Sequence, residues 1–140
     1  MRLIPLAALL LLAACSVSVQ RTPPPVPDSP EVRVVQAHLD AFNRRDIEAF
    51  MVSYAPGAVH WEYPDTKVWE NAARIRAHYT ELFGDPDARG LHVEVRQRMV
   101  KGRFVVNHEF YRGLPGEDAH VSVVIYEIVD GLIRNVWFMN

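Results

Sequence analysis

The stretch 120–139 reads HVSVVIYEIVDGLIRNVWFM, and it decides the fold. Two runs dense in β-branched and aromatic residues flank Asp130-Gly131. That pair is a strong hairpin signal, because a tight strand-to-strand turn needs positive φ at both central positions. Working toward the amino terminus, residues 103–112 and 91–100 are two further strands, with Lys101-Gly102 as their turn. Residues 113–118 form a loop. In the 103–112 strand Phe104, Val106, His108 and Phe110 alternate, which predicts that His108 faces an apolar interior.

Upstream of the strands the period changes to that of helices. Residues 71–83 place Ala72, Ile75, Tyr79, Leu82 and Phe83 on one face, and Gly84-Asp85-Pro86 closes the run. Residues 58–63 alternate again, with Val59, Trp61 and Tyr63 read as the buried side and His60 and Glu62 on the other. Pro64-Asp65 stops that strand. Before it, Asp46 caps a short helix with Ile47, Phe50, Met51 and Tyr54 inward, ended by Pro56-Gly57. Ser29-Pro30-Glu31 starts the first helix, whose stripe is Val32, Val35, Leu39 and Phe42. The order is helix, helix, strand, helix and four strands. This predicts an α+β domain over residues 31–140, with three N-terminal helices packed on a curved, mainly antiparallel sheet.

Residues 1–14 read as an export signal rather than a fold element. Arg2 supplies a positive start, and the apolar run after it is shorter than the about 20 residues a membrane span needs. Leu12-Ala13-Ala14-Cys15 resembles the lipobox of bacterial lipoproteins, which implies cleavage before Cys15 and lipidation of that residue. Ser16 after the cysteine implies the outer membrane of the cell envelope, facing the periplasm. Cys15 is the single cysteine, so the domain has no disulfide. Residues 15–30 carry Pro23, Pro24, Pro25 and Pro27 and read as a semi-rigid linker.

With 15 basic and 17 acidic side chains the formal charge is −2, and no basic stripe is interleaved with aromatics. A nucleic-acid partner is therefore not expected. The six histidines show no His-Glu-x-x-His spacing, and no dinucleotide or P-loop fingerprint occurs, so no metal and no cofactor is expected.

Three stretches in order resemble the SnoaL-like and nuclear-transport-factor-2-like superfamily. They are Ala41-Phe42-Asn43-Arg44-Arg45-Asp46-Ile47-Glu48-Ala49-Phe50 leading into Tyr54-Ala55-Pro56-Gly57-Ala58-Val59, then Ala73-Arg74-Ile75-Arg76-Ala77-His78-Tyr79, and Tyr126-Glu127-Ile128-Val129-Asp130-Gly131-Leu132-Ile133. The resemblance implies a cone-shaped fold, and dimers built on the open sheet face. It does not fix an activity, because the fold hosts isomerases, cyclases, dehydratases and proteins without chemistry. In the ketosteroid isomerases of this superfamily a carboxylate base works with a tyrosine and a protonated aspartic acid. The resemblance puts Glu62 at the base position and His38 at the tyrosine position. The buried acid is expected on the strand before Asp130-Gly131, where no inward acid is found and Tyr126 is the nearest substitute.

Glu62 and His38 are thus the candidate catalytic pair, with His108, Tyr126, His60, Tyr54 and Trp61 as candidate ligand contacts. The expected function is a membrane-tethered domain holding a small, largely apolar molecule in its cone. Two alternatives stay open: an acid–base enzyme of the isomerase or dehydratase type, and an interaction domain that forms a homodimer through the sheet.

Overall fold

The computed structural model describes Pro25 and residues 28–140; Cys15, the export signal and most of the linker lie outside the described residues. Helix α1 (Pro30–Arg44) starts where the caps place it, with Ser29 Oγ accepting from the Val32 amide at 3.3 Å. Helix α2 (Ile47–Val52) is capped by Asp46, whose carboxylate accepts from the Ala49 amide at 3.1 Å. Helix α3 (Ala72–Gly84) is capped by Asn71 and buries Ile75 and Tyr79. A 3-10 turn, Pro86–Ala88, leads into the last four strands.

The sheet contains β1 (Tyr54–Glu62), β2 (Thr66–Glu70), β3 (His92–Lys101), β4 (Phe104–Arg112), β5 (His120–Val129) and β6 (Leu132–Met139). Its spatial order is β2-β1-β6-β5-β4-β3, with β1 parallel to β6 and every other pair antiparallel. The three helices cover one face, giving the α+β cone expected from the order of elements. Phe50, fully buried on α2, ties the layers together: its ring lies 4.3 Å from His38, 4.5 Å from Tyr79 and 5.5 Å from both Tyr54 and Phe83.

Three features differ from the sequence expectation. Strand β2 was not anticipated; it is a five-residue edge strand with only Trp69 half-buried, so it carries no alternation to read. Strand β1 starts at Tyr54 rather than 58 and runs through Pro56-Gly57, where its pairing with β6 is irregular.

The third difference is phase. On β1 the buried residues are Tyr54, Ala58 and His60, while Val59 and Trp61 are half-buried and Tyr63, just beyond the strand, is exposed. On β4 the inward set is Val105, Asn107, Glu109 and Tyr111, so His108 faces away from the cone with Phe104, Val106 and Phe110. The cause is an outer sheet face that is itself apolar. Among the described residues no helix packs on it, yet it carries stacked Trp61 and Trp137 and the Arg96 guanidinium 4.0 Å over Phe110. Two-sided apolarity removes the contrast that fixes strand phase.

Candidate functional site

The open end of the cone holds a pocket of about 290 Å³. Its walls are mainly aromatic: Phe42 from α1, Trp69 from β2, Tyr79 from α3, Tyr111 from β4 and Phe138 from β6. Glu62, His78 and His120 supply polar groups. His78 stacks on Trp69 at 3.8 Å and His120 on Tyr111 at 5.3 Å, so both imidazoles extend the aromatic walls. Phe42, Tyr79, Tyr111 and Phe138 also border a second cavity of only about 10 Å³, shared with His38, Tyr54 and Tyr126. These four rings therefore divide a usable pocket from a filled inner cone.

Beneath that division lies a buried acid. Glu109 is fully buried and its two oxygens have three donors. Oε1 accepts from Asn107 Nδ2 at 2.7 Å and from the Tyr126 hydroxyl at 2.9 Å, and Oε2 accepts from the Tyr111 hydroxyl. Arg98, half-buried on β3, donates through Nε to Asn107 Oδ1 at 2.7 Å. Burial pushes the Glu109 carboxyl above the usual carboxylate range, with the Tyr111, Asn107 and Tyr126 donors and the Arg98 charge opposing it. Burial and the Glu109 charge hold Tyr111 and Tyr126 well above the usual phenol range, so both stay neutral.

The histidines of the inner cone are neutral. Ser53 Oγ donates to the Phe50 carbonyl at 2.8 Å, so its lone pair accepts from His38 Nδ1 at 2.9 Å. Desolvation takes His38 down to about 3. His60 Nε2 lies 2.8 Å from the Tyr54 hydroxyl, while its buried Nδ1 has no partner among the described residues. Desolvation, helped by His38 and His78, takes His60 to about 3 as well.

Against the expected site, the arrangement is mixed. Glu62 and Trp61 line the pocket, although the Trp61 indole N–H is engaged by Asn135 Oδ1 at 2.8 Å. His38, Tyr54 and Tyr126 border the inner cavity, so Glu62 and His38 do not share a cavity as a catalytic pair would. His60 is buried against Trp69 and Phe138, and His108 lies on the far face of the sheet. Sequence reasoning missed Glu109, Asn107, Tyr111 and Trp69. The signal for the first three was their spacing of two residues, which puts them on one side of a strand. Among the described residues, no group of three or more acids and histidines could hold a metal ion.

A family model described as a SnoaL-like domain matches residues 35–136. The chain belongs to the SnoaL-like domain family. No curated protein matches it in sequence. Among solved structures, a cystatin-fold protein from Novosphingobium aromaticivorans is similar, with TM-score 0.72 at 18% identity, over 79% of this chain and 97% of that one. A Δ5-3-ketosteroid isomerase from a Mycobacterium species gives TM-score 0.66 at 18% identity, over 80% of this chain and 93% of that one. An epoxide hydrolase of M. tuberculosis gives 0.64 at 16%, over 78% and 82%. These likenesses establish the nuclear-transport-factor-2-like fold of this SnoaL-like domain, and the chemistry rests on its own residues.

Proposed function

We propose that this SnoaL-like domain binds a small, largely apolar ligand carrying one hydrogen-bonding group, and that a lipid on Cys15 holds it at the periplasmic side of the outer membrane. One observation carries the binding reading: Tyr111, tied to the buried Glu109, lines an aromatic pocket of about 290 Å³. Aromatic walls with a few placed polar groups are what orient such ligands. The lipobox-like Leu12-Ala13-Ala14-Cys15 supports the tether. Native mass spectrometry of the protein incubated with membrane extract tests the pocket. An apolar adduct lost in Trp69→Ala and weakened in Tyr111→Phe is expected; an adduct unchanged by both refutes the reading.

A second reading is acid–base chemistry, favoured by Glu62 and Tyr111 lining the same pocket. Glu62 would take a proton from carbon α to a carbonyl, and the Tyr111–Glu109 pair would stabilise the enolate oxygen. Glu109 on β4 then fills the buried-acid role that β5 leaves without an inward carboxyl. Turnover of a β,γ-unsaturated ketone, abolished in Glu62→Gln and kept in His38→Leu, is the expected result; turnover unaffected by Glu62→Gln removes this reading. The apolar sheet face, uncovered among the described residues, supports a homodimer, tested by sedimentation of the protein against Ile125→Asp. A monomeric wild type would rule the dimer out.

A further inference from the structure

We infer that Glu109 is a specificity-determining residue that sets whether Tyr111 presents a hydrogen-bond donor or an acceptor to the pocket, and so which ligand group the pocket takes. The inference rests on the binding reading for its ligand class, but its core follows from counting donors around one carboxyl.

Arg98 fixes the count. A guanidinium only donates, so Asn107 must turn its Oδ1 toward Arg98 Nε, at 2.7 Å, and its Nδ2 toward Glu109 Oε1, also at 2.7 Å. Oε1 further accepts from the Tyr126 hydroxyl at 2.9 Å, and because Tyr126 borders only the inner cavity of about 10 Å³, where its hydroxyl has no other partner among the described residues, that hydrogen stays on Oε1 and both of its lone pairs are occupied. A proton on Glu109 therefore resides on Oε2, whose one partner among the described residues is the Tyr111 hydroxyl.

Two arrangements follow. With Glu109 ionised, Tyr111 donates its hydrogen to Oε2, and its oxygen offers a lone pair to the pocket. With Glu109 protonated, Oε2–H donates to the Tyr111 oxygen, and the phenol hydrogen turns to the pocket that Tyr111 lines. The first state suits a ligand N–H or O–H; the second suits a carbonyl. The phenol stays neutral in both, because burial alone disfavours the phenolate and the Glu109 carboxylate, where ionised, disfavours it further, so a single proton separates the states. The groups facing the pair are Arg98 from β3, Tyr126 and His120 from β5, Tyr79 from α3, Tyr54 from β1 and His38 from α1 against Tyr126. Of these, Arg98 favours the ionised carboxyl and His120 lies 3.1 Å from Glu117.

Glu109→Gln separates the states chemically. Its amide oxygen can still accept from Asn107 and Tyr126, while its N–H must donate to Tyr111, which locks the protonated-like arrangement. The test is infrared titration of the purified full chain with ring-labelled tyrosine, following the Tyr111 C–O stretch assigned by its loss in Tyr111→Phe. That frequency differs between a phenol that donates and one that accepts. The expected result is a shift in step with the Glu109 carboxyl band, and no shift in Glu109→Gln. A Tyr111 band fixed while the carboxyl titrates, or a shift that survives Glu109→Gln, overturns the inference.

Calorimetry with two probes then reads the ligand class: 2-acetylnaphthalene, which only accepts, and indole, which only donates. Raising the pH through the carboxyl transition should weaken the ketone and strengthen indole, each by about tenfold, the worth of one hydrogen bond. In Glu109→Gln the preference for the ketone should no longer depend on pH. If neither probe binds while the infrared shift is present, the binding reading fails and the switch stands. If both bind with a fixed ratio at every pH, the switch fails and the pocket stands.

Discussion

Replacing His38 with leucine should blunt the acid sensitivity of this fold. His38 and His60 are buried and neutral, titrating near 3 in the folded chain against about 6.5 when hydrated. Between those values unfolding takes up two protons that the folded state refuses. Their contribution to stability is complete above pH 6.5 and is lost as the pH falls toward 3. The slope is about 1.4 kcal/mol per pH unit for each histidine. Glu109 has the opposite sign. Its folded value is raised, so its contribution is full below the ordinary carboxylate range and is lost as the pH rises through the folded value. Just above pH 4.5 it offsets part of the histidine slope, so the wild type should lose less there than the about 2.8 kcal/mol per unit of the two histidines alone. Leucine at 38 removes one of the two histidine protons. Ser53 keeps its bond to the Phe50 carbonyl at 2.8 Å, and the aliphatic side chain still packs on Phe50. The lost His38–Ser53 bond costs the same at every pH well above 3, where the folded imidazole is neutral, and so leaves the slope readable. From pH 6.5 to 4.5 His38→Leu should retain about 3 kcal/mol that the wild type loses. Urea unfolding at pH 7.5, 5.5 and 4.5 measures it. Parallel pH profiles for the two proteins would refute the buried, neutral assignment of His38.

Two further substitutions probe the scaffold. Gly113 holds φ +72°, and a Cβ there would sit 2.2 Å from the Gly90 carbonyl carbon, so Gly113→Ala should cost more than about 1 kcal/mol and lower the melting temperature; an unchanged melt would show that the β4–β5 loop can move aside. Phe50→Ala empties the centre of the aromatic cluster and should cost about 3–5 kcal/mol in urea unfolding. A loss under 1 kcal/mol would mean that the helices re-close over the gap.

Much of the fold was legible because local chemistry and global architecture agree. Ser29 and Asp46 cap the first two helices at the positions their side chains suggest, the third begins within a residue of the periodic run, and Asp130-Gly131 turns the last hairpin with φ 52° and 75°. The site was less legible for two physical reasons. Trp69 belongs to an edge strand whose other residues are exposed, so no periodic pattern marked it. His60 and Glu109 sit on strands that are apolar on both sides, where hydrophobicity cannot choose between two phases. Family resemblance pointed to Glu62, which lines the pocket, and it sought a buried acid on β5, whereas the acid buried inside this cone lies on β4.

Polar satisfaction could have chosen the phase of β4. Facing inward, Asn107, Glu109 and Tyr111 meet one another through contacts two residues apart along the strand, and Arg98 and Tyr126 complete them from the neighbouring strands. In the opposite phase His108 would enter the cone, where its cross-strand neighbours Gln97 and Val123 offer one polar side chain at most. A buried imidazole with so few partners costs more than a carboxyl with three donors, even though the flanking phenylalanines and valine favour burial. Apolar Val123 and Ile125 stand opposite His108 and Val106 on the outer face, so those side chains keep their packing without entering the core. For a strand apolar on both sides, the count of hydrogen-bond partners decides the phase that hydrophobicity leaves open, and here it decides in favour of the acid.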